Sequence, residues 1–312
     1  MYSTLESEWS KIKKSAHKCS SDELKTIEKQ IALWPNAIKK IYWIEDVVHD
    51  TWWTEGSEDD IQPWLSLVRT LHTEAHEVYS MPLNSAWEKF GFPYIQRLEL
   101  VSATSIQDVE RVFSRLPNII DLALIGNITF KRKDWPQFFK ILPPLRNLNL
   151  RLSHLGNSGI EELVEQQSEN LESLNLENTW LGLSGLKKLS RWPKRNQLRH
   201  LNLKNNLLNF NNLVYLDDSS ILSGLQKLDL TGLMAPGNQF HWLKSDSITT
   251  LTIEEEILQG KALKKFVEES DLPNLQRLNV CSGRSIDLIR QQIIDLGWSI
   301  EVEKATPTFE FL

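Results

Sequence analysis

The feature that most constrains this chain is a six-residue phrase, LxxLxL, that recurs along two thirds of its length. Leu, Ile or Val stands at each L position, and the phrase occupies residues 95–100, 119–124, 145–150, 171–176, 198–203, 225–230, 248–253 and 275–280. Successive central leucines are separated by 23 to 27 residues. Self-similarity at such a period is the signature of a repeat architecture, so the phrases must be interpreted together.

Each phrase has the pattern of a short β-strand. Because side chains alternate between the two faces of a strand, the second and third apolar residues point the same way and the residue between them points the other way. One strand of this kind cannot bury its apolar face alone, so neighbouring repeats must stack into a continuous core. Helical spacing of apolar residues follows at 104–116, 157–167, 183–192 and 260–270. The sequence therefore predicts an α/β solenoid.

These phrases, with a helix in most repeats, resemble the leucine-rich-repeat family, and specifically its ribonuclease-inhibitor-like subclass. The resemblance covers residues 93–303 and implies a horseshoe with a parallel concave β-sheet and convex helices. The family's turn asparagine is recognisable as Asn127 and Asn206. Other residues take that place in three repeats: Ala103, Ser153 and Thr179. The turns are therefore expected to be less regular than in a consensus array.

Residues 1–92 have a different character. They hold seven of the twelve tryptophans and no LxxLxL phrase. Helices are predicted at about 21–34, 36–50 and 61–79 from caps, prolines and apolar spacing. We expect this helical domain to cap the exposed N-terminal end of the solenoid, because a terminal repeat leaves its core open on one side.

The C-terminal end is predicted to close with one more helix and strand, so that the solenoid spans 93–303. Residues 304–312 form a tail in which Phe309, Phe311 and Leu312 alternate with polar residues. That alternation is typical of a half-buried strand. The tail could pair with the last repeat or reach a partner by strand addition, and the first alternative is favoured because an open edge is a liability.

Composition limits the partners. The formal net charge is −6, which argues against a general nucleic-acid binder. The sequence lacks an apolar run of about 18 residues and an apolar leader segment, so neither a membrane span nor a secretory signal is expected. Two cysteines, Cys19 and Cys281, lie far apart and do not suggest a disulfide framework. A cytoplasmic protein is the expectation.

No catalytic or cofactor motif is recognisable in the sequence. Phosphate-binding loops, dinucleotide fingerprints and nucleophile elbows are all missing from it. His72 and His76 would share one face of a helix over 61–79, but spacing supplies no third ligand. The sequence therefore predicts no metal, no cofactor and no enzymatic activity. Cys281 falls at an outward strand position, where a small residue without chemical role is the favoured interpretation.

The candidate binding surface is the concave face, where three outward columns accompany each strand. Asparagine fills much of the middle column and is discounted, because in this family it hydrogen-bonds along the sheet. The other two columns, with one tryptophan in the loop after the fourth strand, contain an aromatic anchor, cations and a small apolar pair, which is the usual make-up of an interface hot spot. The predicted partner-binding residues are Arg97, Val101, Ile125, Arg151, Trp180, His200, Lys204, Lys227 and Arg277.

The favoured function is a non-catalytic module that binds another protein on the concave face. The alternative is an effector, enzyme or adaptor, for example one related to ubiquitin ligases, whose repeats select a substrate while the N-terminal domain acts. A purely architectural spacer is a third possibility, and a solvated face of mixed charge is the plain interpretation of the concave columns.

Overall fold

The structure is a computed structural model. It describes residues 22, 23, 26, 29, 70–74, 93, 95–101, 105–125, 128, 130–166, 170–192, 197–217, 221–234, 243–258, 261–281 and 286–304. The chain divides into two compact units, 1–129 and 130–312, whereas the sequence placed its domain boundary at 92/93. No helix in the described ranges is both long enough and apolar enough to cross a membrane.

The first unit contains the parallel strands β1 (Thr70–Glu74), β2 (Arg97–Val101) and β3 (Asp121–Ile125). Helix α1 (Ile106–Arg115) connects β2 to β3, and its first turn is capped by Ser105, whose side chain accepts a hydrogen bond from the Asp108 backbone N–H. Helix α1 confirms the prediction for 104–116. It buries Ile106, Val109 and Val112 on one face, the face that the apolar spacing indicated.

Strand β1 corrects the expectation of a helix over 61–79. Residues 70–74 form a strand that pairs with β2, and Leu71 stands in register with Leu98 and is fully buried. Leu71 lies 27 residues before Leu98, which is the period of the repeat itself. The i, i+4 helical geometry assumed for His72 and His76 is therefore wrong at His72. Of the helix predicted at 21–34, residues 22, 23, 26 and 29 are described and all are helical.

The second unit alternates strands and helices. Its strands are β4 (Asn147–Asn149), β5 (Ser173–Asn175), β6 (His200–Asn202), β7 (Lys227–Asp229), β8 (Thr250–Glu254), β9 (Arg277–Cys281) and β10 (Glu301–Lys304). Its α-helices are α2 (Trp135–Ile141), α3 (Gly156–Gln166), α4 (Leu183–Ser190), α5 (Val214–Asp217), α6 (Lys261–Glu269) and α7 (Ile286–Asp295). Short 3₁₀ helices occupy Arg132–Asp134, Phe210–Leu213 and Glu255–Leu258.

The strands of the second unit pair in parallel and in sequence order, so that each repeat adds one strand to the sheet. The central leucines form one row across β4 to β9, each at most 2% exposed: Leu148, Leu174, Leu201, Leu228, Leu251 and Leu278. Val302 of β10 continues the row. The α/β solenoid predicted from the phrases is confirmed for this unit, including its last helix and strand.

Adjacent repeats also contact each other through their helices. Helix α4 lacks a cap from its own N-cap residue, Gly182. The Asn157 side chain of α3 supplies it instead, because its Oδ1 accepts hydrogen bonds from the backbone N–H groups of Gly182 and Gly185, at 2.8 and 2.9 Å. These bonds satisfy donors that the first turn of a helix leaves free, and they tie two repeats together.

Helix α2 was not expected from the sequence. Its seven residues carry Trp135, Phe138 and Phe139, which cluster with Phe130 at ring-centroid distances of 5.2 to 5.8 Å. All four rings are buried. The three aromatic residues have the i, i+3, i+4 spacing of one helix face, but seven residues are fewer than the window over which that period is recognised in a sequence.

Several expectations lie outside the described residues. They are the helix at 36–50, the tail 304–312 beyond Lys304, the turn residues Asn127 and Ala103, Cys19, and His76.

Candidate functional site

The predicted surface of the second unit corresponds to the strand residues that alternate with the buried leucines of β4 to β10, which we call the outward face. Its first column stands in register across six strands: Ser173, His200, Lys227, Thr250, Arg277 and Glu301. Lys227 therefore lies directly beside His200, whereas Arg277 lies three strands from His200. The register brings two of the three predicted cations of this column together and separates the third.

His200 and Arg277 differ in their surroundings. His200 is half-buried, and burial, together with the positive charge of Lys227, lowers the pKa of its imidazole, so the ring is neutral at pH 7. The Arg277 guanidinium is exposed and pairs with the carboxylates of Glu301 and Glu303 at 2.9 and 3.4 Å. Arg277 is thus held in ion pairs between the last two strands, β9 and β10.

The side chains of the second column form hydrogen bonds to the turns that follow the strands. The Asn149, Asn175 and Asn202 side chains each accept a hydrogen bond from the backbone N–H two residues later, at 3.0, 2.9 and 2.9 Å. Asp229 does the same at 2.9 Å. The expectation that the asparagines of this column bond along the sheet is confirmed at Asn279, whose Nδ2 donates to the Thr252 hydroxyl at 3.3 Å. In β4 to β6 the side-chain oxygens bond the local turn.

The third column holds an ion cluster instead of free cations. The Arg151 Nε lies 3.1 Å from the Glu177 carboxylate, and the Lys204 Nζ lies 3.7 Å from the same carboxylate. Glu177, one repeat from each, thus partly neutralises the basic cluster predicted at Arg151 and Lys204. The three side chains carry a net charge of about +1.

A second cluster of polar side chains lies on strands β7 to β9 and the turn after β7, and it contains Asp229, Thr231, Glu254 and Cys281. Burial raises the pKa of the largely buried Asp229 carboxyl, and burial together with Glu256 raises the pKa of the Glu254 carboxyl. The Cys281 Sγ lies 3.3 Å from the Thr231 hydroxyl, and burial raises the pKa of this thiol. A thiol held protonated is a poor nucleophile, in keeping with the chemically silent role expected for Cys281.

Three of the predicted residues, Arg97, Val101 and Ile125, belong to the first unit. Arg97 donates a hydrogen bond to the Glu99 carboxylate at 2.8 Å. Val101 and Ile125 stand opposite each other at the ends of β2 and β3, so the register joins them as the sequence predicted. Ala123, which alternates with Leu122 and Leu124 in β3, is also fully buried.

Trp180 stands out at the turn that follows β5. Its side chain is 55% exposed and its backbone has a φ of 63°, in the left-handed region that a tryptophan rarely adopts. The ring lies against His154, with a centroid distance of 4.5 Å. Such backbone strain in an exposed aromatic residue marks a functional candidate.

Trp180 belongs to a column that the sequence analysis did not single out. The residues at the same turn position in four successive repeats are His154, Trp180, Leu207 and Met234, and we call them the turn ridge. Leu207 is 62% exposed and Met234 is 55% exposed. These positions are 26, 27 and 27 residues apart, the period of the repeat, so the sequence aligns them but does not show that they are exposed.

The turn ridge is held in place on both sides by buried residues. Thr179 and Leu181 flank Trp180, and Asn206 and Leu208 flank Leu207, all of them buried. The Asn206 Oδ1 accepts from the backbone N–H of Leu181 at 2.9 Å, and its Nδ2 donates to the carbonyl of Leu176 at 2.7 Å. This confirms Asn206 as the turn asparagine.

The main chain also connects the ridge from repeat to repeat. The Leu207 N–H donates to the Leu181 carbonyl at 2.9 Å, and the Met234 N–H donates to the Leu208 carbonyl at 3.0 Å. The ridge residues are therefore neighbours in space, with one side chain contributed by each repeat.

Among the described residues, no group of three or more His, Cys, Asp and Glu side chains is arranged to hold a metal ion. What the described surface offers is an exposed apolar column beside a polar strand face.

Comparison with known proteins gives little further information. No protein-family model matches the chain, and a search of curated proteins finds no match. Among solved structures, the crystal structure of the Rad7 and Elc1 complex in yeast contains a chain with 13% sequence identity. The alignment covers 90% of this chain and 92% of that one, with a TM-score of 0.38. A likeness at this level assigns neither fold nor function.

Proposed function

We propose that this chain is a non-catalytic, cytoplasmic leucine-rich-repeat protein of the ribonuclease-inhibitor-like kind, and that it binds another protein. In that kind of solenoid the outward face is the concave side of a horseshoe. The partner lies against this face and against Trp180 at its margin.

The observation that carries the proposal is Trp180. A tryptophan that is more than half exposed and in a left-handed backbone conformation, with its ring against His154, is costly to maintain. The cost is offset if the ring contributes to binding, since tryptophan and arginine dominate the residues whose truncation weakens interfaces most. Arg151, in the repeat before Trp180, supplies a guanidinium already oriented by Glu177.

The test is affinity capture from a cell extract with matched variants of the full chain. We expect Trp180→Ala and Arg151→Gln each to weaken capture of a specific protein by more than about tenfold, which corresponds to about 1.4 kcal/mol. The matched control is Leu288→Ala, since Leu288 on helix α7 is an equally exposed apolar residue, at 57%.

The opposite pattern contradicts the proposal. If Trp180→Ala and Arg151→Gln capture every specific protein as well as the unaltered chain does, the outward face and its margin are not the binding site. If Leu288→Ala abolishes capture instead, binding occurs on the helical side.

A further inference from the structure

We propose that the outward face of the second unit contains a pH-responsive patch, built around Asp229 and Glu254, which is negatively charged at neutral pH and loses that charge in mild acid. This inference rests on the proposed function, because it concerns the regulation of the face to which the partner binds. It is carried by the register of β6 to β9 and by the burial and hydrogen bonds of the two carboxyls.

Asp229 has no charged neighbour beside it on the adjacent strands. It stands in register between Asn202 of β6 and Thr252 of β8. Its side chain is largely buried, and one carboxyl oxygen accepts the Thr231 N–H at 2.9 Å. The cation that acts on this carboxyl is Lys204, whose Nζ lies 3.7 Å from the Glu177 carboxylate. Burial therefore prevails and raises the pKa of Asp229.

Glu254 is the second carboxyl of the patch. It stands in register with Cys281 of β9, and its carboxylate accepts a hydrogen bond from the Gly232 N–H. Burial raises the pKa of Glu254, and the negative charges of Glu256 and Asp229 raise it further. Lys204 is again the cation that acts on this carboxyl. One lysine thus serves two carboxyls that burial already disfavours as anions.

The other charged groups of the outward face belong to different interactions. Lys227, two residues before Asp229 on β7, stands in register with His200 and lowers the pKa of its imidazole. Arg277 of β9 pairs with two carboxylates of β10. When the pH falls, His200 takes up a proton as well, which changes the charge of the face in the same direction.

The charge of the patch follows from its members. It comprises two cations and four carboxylates: Arg151, Lys204, Glu177, Asp229, Glu254 and Glu256. With every group ionised, the two cations leave a net charge of −2, and protonation of Asp229 and Glu254 brings it to 0. A partner that places a cation against this patch is therefore attracted less strongly in mild acid.

The test uses Cys281 as a probe of the charge within the patch. Its thiol is partly exposed and stands beside Glu254, and Cys19→Ser leaves it as the single thiol of the full chain. The rates of its reaction with a cationic and an anionic methanethiosulfonate reagent are measured from about pH 7.5 to about pH 4.5, a range in which carboxyls of raised pKa take up protons. Both reagents react with the thiolate, so the ratio of the two rates cancels the titration of the thiol and reports the local charge. Circular dichroism at each pH checks the fold.

We expect the cationic-to-anionic rate ratio to fall by about tenfold over this range, because the loss of two negative charges acts on the two reagents with opposite sign. Glu254→Gln should remove part of the fall. Asp229→Asn combined with Glu254→Gln should remove most of it and give a low ratio already at neutral pH. The matched control is Glu268→Gln with Glu269→Gln, which removes two exposed carboxylates from helix α6 and should leave the fall unchanged.

A rate ratio that is constant over this range in the unaltered patch, or a fall that survives in the Asp229 and Glu254 double variant, would overturn the inference. Titration of the carboxyl carbons by NMR is an independent measurement, and midpoints of Asp229 and Glu254 at or below their ordinary values would overturn it equally. Neither measurement needs a partner, so failure of the proposed function is separate. If capture of a protein depends on Trp180 and Arg151 while the rate ratio is constant, the patch inference is wrong and the protein-binding function stands.

Discussion

The guanidinium of Arg151 and the carboxylate of Glu177, on adjacent repeats, form an ion pair with an Nε–O distance of 3.1 Å. The pairing makes charge reversal at Arg151 unfavourable, because Arg151→Glu would place two carboxylates opposite each other between neighbouring repeats.

We therefore predict that Arg151→Glu lowers the free energy of unfolding by about 0.5–1 kcal/mol relative to Arg151→Gln, the scale for like charges on adjacent strands. Urea denaturation of the two variants measures the difference, and 1 M salt should reduce it. Equal stability of the two variants at low salt would show that the pair contributes nothing.

Asp229 is the single aspartate in a column of asparagines, and replacing it by asparagine is expected to stabilise the protein. Burial raises the pKa of this carboxyl, so the folded state holds a proton that the unfolded chain has released once the pH exceeds its ordinary pKa. Stability therefore falls as the pH rises from the unfolded pKa through the raised folded pKa, and the penalty is complete above the folded pKa.

Asp229→Asn keeps the oxygen that accepts the Thr231 N–H and removes the buried charge. We predict a gain of about 0.5–1 kcal/mol at pH 7, the usual scale of a favourable single substitution, and a flatter pH dependence on the acid side of neutrality. The matched reverse variant, Asn202→Asp, should lose stability at pH 7. A less stable Asp229→Asn would mean that attraction to Lys204 outweighs burial.

Asn206 is expected to be the most sensitive turn residue. Its amide accepts from the backbone of Thr179 and Leu181 and donates to the carbonyls of Leu176 and Leu203, all in a buried turn. Asn206→Ala leaves these groups without partners, and each unsatisfied buried group costs about 1–3 kcal/mol.

The predicted loss of unfolding free energy for Asn206→Ala is at least about 3 kcal/mol, measured by chemical denaturation. Asn209→Ala is the control, because the Asn209 side chain accepts a single capping bond from the Asn212 N–H and its removal should cost about 1 kcal/mol. Similar losses for the two variants would contradict a special role for Asn206.

Leu152 occupies a backbone position that suits asparagine or glycine. Its φ is 62°, and the equivalent residues of the next three repeats are Asn178, Asn205 and Gly232, with φ of 51°, 54° and 72°. A left-handed conformation costs a leucine about 1–2 kcal/mol. Leu152 is 41% exposed, so little burial is lost on replacement.

We predict that Leu152→Asn raises the free energy of unfolding by about 1 kcal/mol, as measured by thermal or urea denaturation. Leu207→Asn is the control, since Leu207 is exposed and its φ is not positive. A stabilisation of the same size in both variants would show that lost surface apolarity, and not backbone strain, is the cause.

The strand ladder of the second unit was predictable because its signal is local. Leu148 and Leu174 each end up buried and in register because the alternation within one phrase already decides which residues point inward. The same rule failed to reveal β1, where Val68 and Leu71 keep the period but Thr73 replaces the last apolar residue of the phrase. Helix α2 was missed because its seven residues are too few for the i, i+3, i+4 spacing of its aromatic residues to be recognised.

The candidate site was only partly predictable. Trp180 was recognised as an exposed aromatic anchor, and its exposure is confirmed. The cations around it were predicted as partner-binding residues, but Glu177 of the intervening repeat pairs with two of them, Arg151 and Lys204. Leu207 and Met234 were overlooked, because an isolated leucine or methionine in a turn has no feature that separates a buried residue from an exposed one.

The sequence by itself determined the repeat, the inward row of leucines and the alternation of strands with helices, because each follows from the periodicity of a single segment. Tertiary structure decided which polar groups satisfy one another. Asn157 caps a helix in the next repeat, and Asn206 bonds a turn in the preceding one. These partners are 25 to 28 residues apart in sequence, so their interaction depends on how the repeats stack.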